Sequence, residues 1–107
     1  MKRIAQVIGI PAENKAEYMR LHENIPQEVA DLIYECNIRN YSIYDFGEYL
    51  FAYMEYVGDD YEADMAKMAA NEANQRWWDV CKPLQRPLPE RLDGEWWHDL
   101  QCCFHQD

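Results

Sequence analysis

The sequence predicts an α+β fold, an antiparallel sheet with helices packed on one face, and three observations carry that expectation. Period-2 alternation rich in β-branched and aromatic residues recurs at residues 3–10, 38–46 and 49–57. Apolar residues at helical spacing fill the intervals between the first two of these runs and after the third. With a short closing strand expected at residues 97–105, the order becomes β-α-β-β-α-β, the pattern of a ferredoxin-like domain spanning residues 1–107.

Each element has a local reason. In residues 3–10, Ile4, Gln6, Ile8 and Ile10 alternate with Ala5, Val7 and Gly9, and Pro11 closes the run. Across residues 12–24, Tyr18, Leu21 and His22, continued by Ile25, fall at i, i+3, i+4 and i+7, so they share the inward face of a helix while Glu17, Arg20 and Glu23 turn away. Pro26 biases Ile25 away from the helical region and opens a second helix at its first position; Val29, Leu32 and Ile33 continue its stripe to Cys36, and Asn37 ends it. Strict alternation over residues 38–46 sets Arg39, Tyr41, Ile43 and Asp45 on one face and Asn40, Ser42, Tyr44 and Phe46 on the other. A turn at Gly47 leads to Tyr-Leu-Phe-Ala-Tyr-Met-Glu-Tyr-Val, a strand apolar on both faces. So short a chain has helices for one face only, which predicts a second copy, a homodimer, on the other.

Asp60 is placed to cap a helix carrying Tyr61, Met65, Met68 and Ala69. Residues 72–82 form a further helix bearing Trp77 and Trp78, about 100° apart, so that one ring lines a cavity while the other packs in the core. Pro83, Pro87 and Pro89 impose an irregular segment, and Gly94 leads into the closing strand around Leu100, Cys102 and Phe104.

Composition removes several functions. Twenty acidic against ten basic residues give a formal charge of -10, which opposes binding to nucleic acid and to anionic membranes. The basic start is followed by too short an apolar run for a signal peptide, no stretch approaches a membrane span, and the adjacent Cys102 and Cys103 suit no simple disulfide framework; a reduced, cytoplasmic protein is expected. Glycines scattered at positions 9, 47, 58 and 94 make no phosphate loop, and Ser42 is the only serine in a chain without threonine, so neither a nucleotide enzyme nor a serine triad is supported. His98, Cys102, Cys103 and His105 are zinc-type ligands at the wrong spacing, because adjacent strand residues point to opposite faces; no metal site is expected.

What remains is a histidine on an inward stripe beside a tyrosine, and a tryptophan pair beside Asn74, Gln75 and Arg76. Imidazole gives and takes protons near neutrality. Aromatic faces suit the C–H face of a pyranose, and amides, a phenol and an imidazole suit its hydroxyls. By itself the stripe is the ordinary place for a core histidine with one bonded nitrogen, since buried polar groups are usually satisfied without doing chemistry.

With these residues in view, the chain resembles the L-rhamnose mutarotase family, over nearly its whole length. The resemblance is carried by Glu17-Tyr18-x-x-x-His22, by Asn40-Tyr41-Ser42-Ile43-Tyr44, by Leu50-Phe51-Ala52-Tyr53 with Glu55, and by Gln75-Arg76-Trp77-Trp78. It implies a ferredoxin-like dimer whose sheets meet as an α/β barrel, a monosaccharide substrate, no cofactor, His22 as proton donor, and Tyr18, Tyr41, Trp77 and Trp78 in contact with the sugar. The sequence departs from the family pattern at residues 81–85 and 94–97. Two alternatives stay open: a mutarotase for L-fucose or another sugar, and a non-catalytic dimeric module holding a sugar or haem.

Overall fold

The computed structural model describes residues 1–107. Its sheet contains β1 (Lys2–Gly9), β2 (Ile38–Phe46), β3 (Tyr49–Tyr56) and β4 (His98–Asp99), in the order β2-β3-β1-β4 with every neighbouring pair antiparallel. Helices α1 (Lys15–Leu21) and α2 (Gln27–Glu35) connect β1 to β2, and α3 (Tyr61–Ala70) and α4 (Glu72–Cys81) follow β3. This is the ferredoxin-like arrangement expected from the order of the elements. No helix is long and apolar enough to cross a membrane.

The register explains which side chains the helices cover. Ile4, Gln6 and Ile8 lie opposite Met54, Ala52 and Leu50, and this side of the sheet carries most of the buried core. Ile8, Ile10, Tyr18, Leu50 and Cys81 form one cluster, and Ile4, Ile38, Met54 and Tyr56 form another toward the far end of the sheet. The opposite side presents Tyr44, Phe46, Tyr49 and Phe51, all exposed. Asp60 caps α3 by accepting the Ala63 amide hydrogen at 3.1 Å, as its position suggested. Gly47, with φ of +58°, supplies the left-handed turn that joins β2 to β3.

Four details differ from the sequence expectation. Helix α1 stops at Leu21, preceded by a 3-10 turn (Ala12–Asn14), so His22 is its C-cap rather than an interior residue. Pro26 stands as the cap before α2, with extended ψ of 136°, and its carbonyl accepts from Val29 and Ala30. Alternation in β2 is interrupted: Arg39 pairs with Glu55 and Ser42 with Tyr53, so Asn40 and Tyr41 together face the single residue between them. Asn40 takes a positive φ of 51° in this bulge, which leaves Arg39 on the exposed side and Tyr41 on the helix side. The closing strand, expected across residues 97–105, is confined to His98–Asp99. Leu100 still donates to the Ala5 carbonyl at 2.8 Å, but beyond it the tail finds no surface of its own chain to cover, and Phe104 is 70% exposed.

Candidate active site

Between the helices and the sheet lies a cavity of about 240 Å³. Most elements contribute to its wall: Tyr18 and His22 from α1 and its cap, Val29 and Ile33 from α2, Tyr41 and Ile43 from β2, and Met65 and Met68 from α3. Helix α4 adds Asn74, Trp77, Trp78 and Cys81, which recur at i, i+3, i+4 and i+7 and so line one face. A wider mouth, bounded by His22, Ile25, Ala30, Ile33, Tyr41, Ile43 and Trp77, opens the cavity to solvent.

All five residues singled out in the sequence meet here. The His22 ring stacks on that of Tyr18, with centroids 4.2 Å apart and 28° between planes, and meets the edge of Trp77 at 5.1 Å. Its Nδ1 lies 2.7 Å from the Tyr18 carbonyl oxygen. A carbonyl can only accept, so Nδ1 carries the hydrogen and Nε2 the lone pair in the neutral ring. Burial lowers the His22 pKa below its ordinary 6.5, partly offset by this bond to Tyr18. The neutral imidazole therefore prevails at neutral pH, with Nε2 free of hydrogen bonds within the chain.

The phenols stay protonated. Burial, with smaller contributions from Tyr41 and Cys81, holds the Tyr18 hydroxyl well above the usual phenol range. Tyr41 is 39% exposed as a residue, yet its hydroxyl end lies deep in the fold, where burial and then the neighbouring Tyr61 and Cys81 push its pKa up to about 12. Both rings of the tryptophan pair line the cavity and both are half-buried, so the expected division between a cavity ring and a core ring does not hold. Trp77 does both tasks, touching His22 and packing on the cluster around Ile8, whereas Trp78 faces the Lys82 ammonium at 4.6 Å.

The family model described as L-rhamnose mutarotase matches residues 3–106. The chain belongs to the L-rhamnose mutarotase family. An L-rhamnose mutarotase of Opitutus terrae is 36% identical over 110 aligned positions covering the whole of both chains. One of Listeria monocytogenes is 32% identical over 91 positions, covering 83% of this chain and 85% of its own. The crystal structure of an L-rhamnose mutarotase from Formosa agariphila superimposes with a TM-score of 0.79 over the full length of both chains at 22% identity, a likeness of fold.

Within this family frame, the cavity also contains residues that the sequence reading did not single out. Gln85 donates to the Tyr18 hydroxyl at 3.2 Å, and Trp96 donates its indole hydrogen to Gln85 at 2.8 Å. Both come from the irregular segment after α4. The one signal for their placement is Gly9 at the end of β1: its amide and carbonyl pair with those of Arg86 at 2.9 and 2.8 Å, and a Cβ at Gly9 would come within 2.5 Å of the Arg86 oxygen. A glycine ending a strand marks such a close backbone approach, although not what approaches.

Proposed function

We propose that the protein is an L-rhamnose mutarotase in which His22 moves the proton and Tyr18, Tyr41, Trp77 and Trp78 hold the sugar. The observation that carries this reading is the fixed tautomer of His22: a neutral imidazole with a free Nε2, braced by Tyr18 and Trp77, beside a cavity walled by phenols and indoles. The cavity, about 240 Å³ behind its wider mouth, sets phenol, imidazole and amide groups among aromatic faces, a lining that suits the hydroxyls and C–H face of a single pyranose.

Opening the hemiacetal requires little machinery. Nε2 takes the proton of the anomeric hydroxyl, the carbonyl forms as the bond from the anomeric carbon to the ring oxygen breaks, and the ring oxygen receives a proton from the resulting imidazolium or from water. The aldehyde rotates and the same steps run in reverse on its other face. The two oxygens share the anomeric carbon, so one nitrogen can serve both. No proton or electron is consumed overall. General acid–base catalysis of this kind contributes roughly 10²–10⁴-fold.

The same reading includes a homodimer through the open side of the sheet, where Tyr44, Phe46, Tyr49 and Phe51 form an apolar surface that a second copy would cover. It treats residues 1–107 as one mutarotase domain, and it places the protein in the cytoplasm, in keeping with four free thiols.

Saturation-transfer NMR of anomer exchange on L-rhamnose, L-fucose and D-glucose tests the proposal. Acceleration greatest for L-rhamnose supports it. Preference for L-fucose reassigns the sugar, and binding of L-rhamnose without accelerated exchange reduces the protein to a binding module.

A further inference from the structure

The segment after α4 reaches the cavity through a chain of directed hydrogen bonds from Trp96 to Gln85 to Tyr18. Indole nitrogen donates only, so the Gln85 atom facing Trp96 at 2.8 Å is the amide oxygen. The amide nitrogen is thereby turned toward Tyr18, 3.2 Å from its hydroxyl oxygen. An amide nitrogen also only donates, so the Tyr18 oxygen must accept. Its own hydrogen is then left for a partner outside this pair, and Tyr18, otherwise buried, opens to the cavity.

Gln85 is held firmly enough for this to matter. On one side, Asn14 donates to the Leu84 carbonyl at 3.1 Å and the Gln85 amide hydrogen binds the Lys82 carbonyl at 3.0 Å, closing the 3-10 turn Lys82–Leu84. On the other side, Arg86 is locked to Gly9 by two backbone hydrogen bonds. The side chain therefore leaves a backbone fixed on both flanks, and Trp96 removes the freedom of the amide to turn over.

We propose that Gln85, braced by Trp96, is a positioning residue that fixes the Tyr18 hydroxyl as a hydrogen-bond donor to a sugar oxygen. This deepens the mutarotase reading and rests on it. The arrangement complements His22: the imidazole offers a lone pair, the phenol offers a hydrogen, and Tyr18 orients both, the first through its carbonyl and the second through its ring hydroxyl. A pyranose hydroxyl and ring oxygen present the matching pair.

The test reverses the polarity of one bond while keeping the shape. In Gln85→Glu the carboxylate still accepts from Trp96, but its second oxygen draws the Tyr18 hydrogen away from the cavity. With L-rhamnose as substrate, kcat/KM should fall at least about tenfold, the loss of one directed hydrogen bond at the site. Tyr18→Phe should fall comparably. The double variant should be no slower than Tyr18→Phe alone, because Gln85 acts only through that hydroxyl. Gln85→Met, which keeps length and loses polarity, provides the same cycle if the acidic variant unfolds, and thermal melting of each sample identifies folded protein. Losses that multiply in the double variant, or Gln85→Glu and Gln85→Met both within twofold of wild type, would overturn the proposal. Wild-type protein inert toward all three sugars would overturn the mutarotase reading and this inference together, whereas active wild type with multiplying losses overturns this inference alone.

Discussion

The two sides of β3 began with the same kind of sequence and came to opposite ends. Leu50, Ala52, Met54 and Tyr56 point under the helices, where each is at most 7% exposed. Tyr49 and Phe51, interleaved with them, remain 46% and 38% exposed on the other side. On the covered side polar groups converge among apolar ones: His22, Tyr18 and Gln85 all have partners, and no side-chain nitrogen or oxygen is buried without one. On the open side Tyr44, Phe46, Tyr49 and Phe51 have no such companions, and only toward the far end of β3 does Tyr53 donate to the Glu55 carboxylate, at 2.7 Å. Apolar character on both faces of a strand therefore does not describe a function by itself. What the chain lays over each face separates a cavity lined by hydrogen-bonding groups from an open apolar surface.

The largest expected effect is on the covered side. His22→Ala should slow catalysed exchange by about 10²–10⁴-fold, toward the buffer rate, while thermal melting shows an intact fold. A folded variant with near-normal exchange would falsify the role of His22 and reduce the covered face to packing. On the open side, Phe51→Glu sets a carboxylate opposite Val7 and Tyr44, where it has no effect on the cavity wall but opposes burial against a second copy. Sedimentation equilibrium at micromolar concentration should shift from dimer to monomer; a monomeric wild type would end the contrast between the faces.

The tryptophan pair divides the covered side further. Trp77→Ala should cost about 3 kcal/mol of stability, the lower end for a large aromatic since the ring is half-buried, and should weaken activity through the lost contact with His22. Trp78→Ala should leave the melting temperature nearly unchanged and raise KM severalfold. Equal losses of stability would mean that the two rings share the work. The smallest effect concerns pH. Burial lowers the His22 pKa, so the folded protein binds its proton less readily than the unfolded chain. Exchange should hold steady above pH 6.5 and decline only below it, with a midpoint under the ordinary histidine value, and this group's contribution to stability should be lost as pH falls from 6.5 through that midpoint. A rate that falls as pH rises through 6.5 would make imidazolium the working form.

Periodicity found what depends on neighbours in sequence. Tyr18 and His22 are four apart, Trp77 and Trp78 are adjacent, and both pairs lie on or beside helices whose stripes point inward. It failed where distant segments decide the outcome. Gln85 reaches Tyr18 because Arg86 pairs with Gly9, and nothing within the proline-rich segment encodes that pairing. The closing strand was overextended for a related reason: Leu100, Cys102 and Phe104 alternate acceptably, but a strand also needs a face to bury, and the tail has none within its own chain. The α1 boundary moved because Pro26 constrains Ile25 alone, whereas the helix had already ended at Leu21.

The bulge at Asn40 and Tyr41 works as a phase shifter within β2. Before it, Ile38 is 3% exposed and belongs to the far core cluster; after it, Ile43 packs against the cluster beside Tyr18. In an unbroken strand Ile38 and Tyr41, three residues apart, would have opposite parity, and one strand could not both seal the core and send a phenol into the cavity. The extra residue uncouples those two demands. The cavity wall can be altered at Tyr41 without disturbing the packing parity of Ile38, so this strand carries an adjustable wall position on a fixed frame.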